Sequence, residues 1–314
     1  MISSLFSSVH AYCQVYDPGT SPLPPREPAV TTLYLDHNVL IDIQKRRRED
    51  LVARINGLDR SAFDVVFSPA HIEEVAALRM HHGRADEVAP FLDFLSGLTH
   101  NRALLPYPRR SVAQVEQRGI YLSIEHPAET FGRVIGSYGN NAFAEAHQRE
   151  KIASGIAFGE THVVDSRTSN NMDIAHELDA LAPRLIAILD ANIAAMRGSP
   201  LAPYLPSCAP SRSQLSFGHL ARYFPVHEVV IEKMFEFMDL LNYYPNKPKQ
   251  YLSGLHDTTH AIYAAYCDVF VTNDAGLRHR TLAAYHWLGV KTRVFTGAEF
   301  VEYLDARHAS TASA

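Results

Sequence analysis

The sequence has little cysteine, no excess of basic residues and no long apolar run, and each scarcity removes a class of protein. Cys13, Cys208 and Cys267 are the three cysteines in 314 residues, odd in number and without a C-x-x-C pair. Neither a disulfide framework nor a zinc knuckle is expected from them, and a reducing compartment suits such a chain. No uninterrupted apolar stretch approaches the roughly 20 residues needed to cross a bilayer. The opening MISSLFSSVHAYC has neither the basic start nor the long apolar segment of a secretory signal, so a cytoplasmic protein is expected. A formal charge of −5 excludes an overall basic glove for nucleic acid. It leaves room for a local Lys/Arg patch beside a carboxylate cluster that binds metal.

What is present is enough for a packed core. Hydrophobic residues make up 46% of the chain and charged ones 20%, which argues against disorder as the ground state. Residues 1–30 end in DPGTSPLPPREP and are expected to be a proline-rich arm rather than a folded element. Order begins at TTLYLD (31–36), a short β-prone run closed by an acid. The pattern then predicts a helix over 39–54, a strand in FDVVFS (63–68), a helix from Pro69 and a further helix over 85–98. From 101 to 250 helical pieces (172–197 and 226–243) alternate with Gly, Ser and Pro, with few convincing strands. Glu232, Glu236 and Asp239 fall on a polar stripe of the second piece, as on a helix that packs one face.

Strand–helix alternation returns near the end of the chain. His256–Cys267 reads as helix, DVFVT (268–272) as strand, Asp274–Gly289 as a helix ended by glycine, KTRVFT (291–296) as strand and Gly297–His308 as a last helix. Such alternation predicts an α/β fold with a parallel sheet covered on both faces. The portions 31–100 and 251–308 read as two halves of one domain, with 101–250 as a large, mainly helical insertion and 309–314 as a flexible tail.

The acids carry the functional reading. Asp36 closes the first strand, Asp274 lies just beyond DVFVT, and ligand sites of open parallel sheets form outside the carboxyl ends of strands. Asp257 opens an alanine-rich helix. Taken singly, each acid is better explained as a helix N-cap than as a catalyst. Three motifs in order change that weighting. LYLDHNVLIDI (33–43) is an apolar strand ending in Asp36, with Asn38 two residues on. FSPAHIEEVAAL (67–78) is a strand ending in Ser68 with Glu74 on the following helix. DTTHAIYAAYCDVFVTND (257–274) is an Asp leading an Ala-rich helix, then a strand ending in Thr272, Asn273 and Asp274. Together with the closing VFTGAEFVEYL (294–304), these resemble the PIN-domain family of metal-dependent nucleases, toxin-type relatives included. The resemblance covers 31–100 and 251–308. The chain departs from the family pattern in its size, in His37 after the first acid, and in Leu277 where an aromatic is common.

The resemblance implies a PIN-like three-layer α/β/α fold and an endoribonuclease that leaves a 5′-phosphate and a 3′-hydroxyl. It implies Asp36, Glu74, Asp257 and Asp274 as catalytic residues and metal ligands, with Asn38 and Thr272 supporting them through hydrogen bonds. Hard oxygen donors without a Cys₂ or His₂ spacing favour Mg²⁺ or Mn²⁺. Family spacing from Ser68 selects Glu74 over Glu73, while helical periodicity leaves both open. His71 and His260 lie within a turn of proposed ligands and are candidates for substrate contact or local hydrogen bonding, as are Arg278 and Arg280 for phosphate. His37 and His256 are expected to point elsewhere. The run Lys45–Arg46–Arg47–Arg48 and the pair Lys247 and Lys249 are candidate RNA grips or solvated surface.

The expected partner is an RNA substrate. An antitoxin or other protein partner and a homo-oligomer stay open, and no membrane association is expected. The alternatives are a catalytically weak PIN-like RNA-binding or scaffold module and a structure-selective DNA nuclease. A haloacid-dehalogenase type phosphatase wants D-x-D after the first strand, where this chain has D-H-N.

Overall fold

Thr31–Leu35 forms β1, the strand on which the sheet is centred: Leu33 pairs with Val65 on one side and Val269 on the other, and Tyr34 pairs with Val66 and Phe270. The neighbours are β2 (Phe63–Val66) and β5 (Val269–Val271), and β6 (Arg293–Phe295) lies beyond β5, so the sheet runs β2-β1-β5-β6 with every pairing parallel. The computed structural model describes residues 30–81, 83–106, 119–137, 170–199, 202, 205–245 and 251–312. The chain is α/β with a central parallel sheet, as the strand–helix alternation predicts.

Alternation along the strands assigns each face a core. Leu33, Leu35, Val65, Val269 and Val271 join one apolar cluster and Tyr34, Val66 and Phe270 the other, because successive strand residues point to opposite sides. The first face is covered by α1 (His37–Gln44), α2 (Glu49–Asn56), α3 (Pro69–His81), α4 (Val88–Thr99) and α11 (Gly297–Ala312). The second is covered by α6 (Ile174–Met196), α8 (Phe224–Leu240), α9 (Tyr251–Ala264) and α10 (Ala275–Leu288). Two smaller helices, α5 (Pro127–Ser137) and α7 (Phe217–Leu220), complete the described set. None of these helices is long and apolar enough to cross a membrane.

Several elements differ from the sequence pattern. The helix expected over 39–54 is two helices, broken where Arg46 takes φ 51. The break lets Val39, Leu40 and Ile43 on one piece and Leu51 and Ile55 on the other all reach the core. The stretch 101–250 also supplies two strands, β3 (Arg102–Pro106) and β4 (Ile120–Ile124), paired antiparallel. His100 and Asn101, both at positive φ, turn the chain from α4 into β3, and a parallel bridge between Phe67 and Ala103 ties β3 to the end of β2. α8 is not amphipathic with one packed face. It is buried nearly all round, with Lys233 donating to Glu236 at 2.8 Å inside the core. α9 starts at Tyr251, so Asp257 sits in its second turn and does not open it, and α11 continues past His308 to Ala312. The arm 1–29 and Lys247 and Lys249 lie outside the described residues.

Phe270 is fully buried where β5 meets the helices of the second face. Phe270→Ala is expected to cost about 3–5 kcal/mol through lost burial and the cavity left behind. Urea denaturation measures it, and a loss under about 1 kcal/mol would contradict this packing.

Candidate metal centre

β1 turns one way through α1 and α2 to β2, while β5 occupies its other side, so the carboxyl ends of β1 and β5 flank the switch point of the sheet. Asp36 leaves β1 there, its backbone N–H donating to Val271 O at 2.9 Å. Its side chain is almost without solvent contact. Thr272 Oγ1 donates to Asp36 Oδ2 at 2.9 Å and accepts from the Asp274 N–H at 3.1 Å, so one hydroxyl couples both strand-end acids. Asp274 caps α10, its Oδ1 accepting from Leu277 N at 2.7 Å, and is exposed. The N-cap reading of a strand-end Asp holds here, with one oxygen on the helix and the other left over.

Glu74 reaches this place from α3. Its Oε1 lies 2.8 Å from His260 Nε2 and its Oε2 3.7 Å from His37 Nε2. His260 Nε2 is also 3.9 Å from Asp36 Oδ1. One ligand atom from each of Asp36, Glu74 and His260 falls within 4.8 Å of the others. Glu73 turns toward His256 Nδ1, 4.0 Å away. Geometry therefore selects Glu74, as the spacing from Ser68 does.

Burial, then the nearby Glu74 and Asp274 carboxylates, push the Asp36 carboxyl up from 3.8 to about 7, with Thr272 opposing. Asp257 is likewise raised, by burial first and then by Asp36 and Asp274, against the pull of Arg280. Asp36 and Asp257 thus both feel the neighbouring acids. The tight group nevertheless contains Asp36 and Glu74 with His260; Asp257 and Asp274 stand around it. This donor set, two crowded carboxylates and an imidazole, fits a divalent cation, whose charge would relieve the repulsion.

Histidines missing from the expected ligand set prove central. His260 Nδ1 is 2.8 Å from the Tyr34 hydroxyl, which is 2.7 Å from Ser68 Oγ, all three groups buried. Burial keeps His260 neutral, down at about 3, so its contact with Glu74 is a hydrogen bond rather than an ion pair. His37 faces Glu74 instead of pointing away, its ring against Phe91 at 4.9 Å and its pKa lowered to about 4, chiefly by burial. Sequence offered one signal for this: His256, Asp257 and His260 share a helix face, which groups titratable side chains.

Two proposed substrate contacts are buried, and a third is paired with a carboxylate. His71 is fully buried: Nδ1 accepts from Ser68 N at 3.0 Å, so Nε2 carries the proton and donates to Leu35 O at 2.7 Å. It is a strut under the end of β1. Arg280 is also fully buried, donating to Asp239 at 3.1 Å and standing 3.6 Å from Asp257. It neutralises acids inside the protein rather than meeting phosphate. Arg278 is held by Glu299 at 2.8 and 3.2 Å on the surface. Asn38 is exposed and makes no side-chain hydrogen bond to the acids, so the supporting role falls to Thr272 alone. No protein-family model, curated protein or solved structure matches the chain.

Two outcomes test this arrangement. Arg280→Met strands Asp239 and Asp257 without their counter-charge, so a destabilisation of about 3 kcal/mol is expected in urea melts; a phosphate-binding arginine would leave stability unchanged. Stability in EDTA is expected to peak near pH 6.5. His37, His71, His227 and His260 have depressed folded-state pKa values, so their contribution is complete above 6.5 and is lost as pH falls toward 3–4. Asp36 and Asp257 are raised, so theirs is complete below 3.8 and is lost as pH rises, for Asp36 through about 7. These four groups outweigh the two aspartates on the acid side, and the aspartates act alone between pH 6.5 and 8. Denaturation midpoints at pH 4.5, 6.5 and 8 check this, and a midpoint climbing steadily to pH 8 would refute it.

Proposed function

We propose that the chain is a divalent-metal-dependent nuclease of the PIN-like kind, hydrolysing RNA phosphodiester bonds, with Asp36 at the heart of the site. The observation that carries this reading is the crowding of Asp36 and Glu74 against His260 at the sheet's switch point, with Asp257 and Asp274 close enough to raise the carboxyls. A parallel sheet with helices on both faces and acids beyond β1 and β5 is what the motif resemblance implies.

Asp36, Glu74 and His260 would hold Mg²⁺ or Mn²⁺, with the free oxygen of Asp274 and the carboxylate of Asp257 lining the approach. A bound divalent ion lowers the pKa of a water and steadies charge on a scissile phosphate. The chain's own contribution is placement. Thr272 keeps Asp36 turned inward, His260 fixes one oxygen of Glu74 while His37 stands near the other, and Arg280 stops Asp257 from adding a further uncompensated charge. Arg48, at the end of the basic run, reaches Asn273 beside Asp274 at 3.5 Å, which brings positive charge to the rim where a phosphate backbone would lie. Tyr244 stacked on His279 at 3.9 Å, beside the start of α10, offers a flat face to a base.

Incubating a mixed RNA pool and a matched DNA pool with Mn²⁺ or Mg²⁺ tests the reading. RNA cutting that EDTA abolishes, reduced about 100-fold or more in Asp36→Asn (roughly 3 kcal/mol of barrier), is expected. Metal binding without cleavage of either pool would favour an RNA-binding module, and cleavage confined to DNA would replace the substrate.

A further inference from the structure

The four acids alone describe a hard, all-oxygen site, yet two neutral imidazoles occupy it as well. His260 presents Nε2 to Glu74 at 2.8 Å and to Asp36 at 3.9 Å. His37 presents Nε2 to the other Glu74 oxygen at 3.7 Å, its side chain 5% exposed, and its Nδ1 has no hydrogen-bond partner. Burying an imidazole that makes no hydrogen bond is costly unless something else meets it. Nothing about RNA hydrolysis by carboxylates calls for either ring.

We infer that His260 is a direct nitrogen ligand, so that the centre is a mixed imidazole–carboxylate site selecting a transition-metal dication such as Mn²⁺ over Mg²⁺. The inference rests on the metal reading of Asp36 and Glu74, though not on the nuclease reading. A ligating histidine needs its other nitrogen protonated and held, usually by an oxygen acceptor. Tyr34 supplies that acceptor at 2.8 Å from Nδ1, and Ser68, 2.7 Å from Tyr34, takes the phenol's own proton.

The chain Nδ1–H to Tyr34 to Ser68 leaves the Nε2 lone pair facing Asp36 and Glu74. The opposite register, with Tyr34 donating to Nδ1 and Nε2–H donating to Glu74, satisfies the same heavy atoms without a cation. Passing from one to the other moves the imidazole proton from Nε2 to Nδ1 by exchange with solvent and rotates two hydroxyls. Protons balance, and no heavy atom has to move. Imidazole suits first-row transition dications, Mn²⁺ the most weakly of them, whereas Mg²⁺ holds to oxygen and water. His37, 3.7 Å from the same Glu74 carboxylate, places a second imidazole nitrogen beside the site. Tyr34, His71 and His260 pack ring against ring with centroids 4.7–5.7 Å apart, which fixes the ligand ring before any ion arrives.

The test uses the full chain with Mn²⁺ and Mg²⁺ as probes, calorimetry for affinity and pulsed electron paramagnetic resonance for nitrogen coupling to bound Mn²⁺. Wild type is expected to show nitrogen modulation that disappears in His260→Gln, with Mn²⁺ affinity falling about 10–100-fold and Mg²⁺ affinity changing less than about 3-fold. Tyr34→Phe keeps the ring and loses the acceptor. It should retain nitrogen coupling with Mn²⁺ affinity down about 10-fold, and it decides the matter if the His260 variant does not fold. Mn²⁺ bound without nitrogen coupling, or with coupling that survives His260→Gln, would overturn the inference and leave the metal reading standing. Binding of neither ion would overturn both.

Discussion

A carboxyl group taken out of water beside a second carboxyl is the constraint around which this molecule is arranged. Asp36 is buried at the end of the central strand with Glu74 against it. Two hydrogen-bond donors make that tolerable, the Thr272 hydroxyl and the His37 backbone N–H, while His260 takes up Glu74. The polar chain from Ser68 through Tyr34 and His260 to Glu74 is almost wholly enclosed. In a low-dielectric interior such a chain is rigid when fully paired and costly when broken. Asp36 therefore sits where its charge is expensive and where everything around it is fixed in advance.

The middle of the chain enters this arrangement through Arg280. Its guanidinium joins Asp239 of α8 to Asp257 of α9 and lies over the Phe235 ring at 5.1 Å. The helices between the two α/β portions consequently do more than cover the second face of the sheet. They supply Asp239, which shares the Arg280 guanidinium with Asp257, and they share one core with Tyr34 and Phe270. A helix buried all round, as α8 is, fits that central position better than a packed appendage would.

Local pattern was enough for the elements that bear the acids. The strand ends at Asp36 and Asp274, the proline-led start of α3 and the glycine stop of α10 are written in short windows of sequence. Glu74 was legible from its spacing to Ser68. The rest depended on partners distant in sequence. Nothing near Arg280 announces Asp239, 41 residues away. His260 and Tyr34 are separated by 226 residues and meet only because β1 and α9 pack together. The β3–β4 pair was hidden for another reason: RALLP ends in proline and lacks alternation, and its strand character comes from the bridge to Phe67. Asp257 was misplaced on its helix because α9 begins earlier than the alanine pattern does.

The Thr272–Asp36 hydrogen bond spans 236 residues, and β1 has β5 as its immediate neighbour. A chain made from its amino end exposes Asp36 and Glu74 long before their partners exist. Until β5 and α9 emerge, both acids stand in water as ordinary carboxylates, and the central strand lacks one edge. The cluster can close only after residues 257–274 have been made, so a chain truncated before them carries Asp36 and Glu74 without His260, Thr272 or the other two acids. Late pairing of this kind slows folding and leaves a strand edge open to wrong partners. In return, the molecule acquires its chemistry all at once.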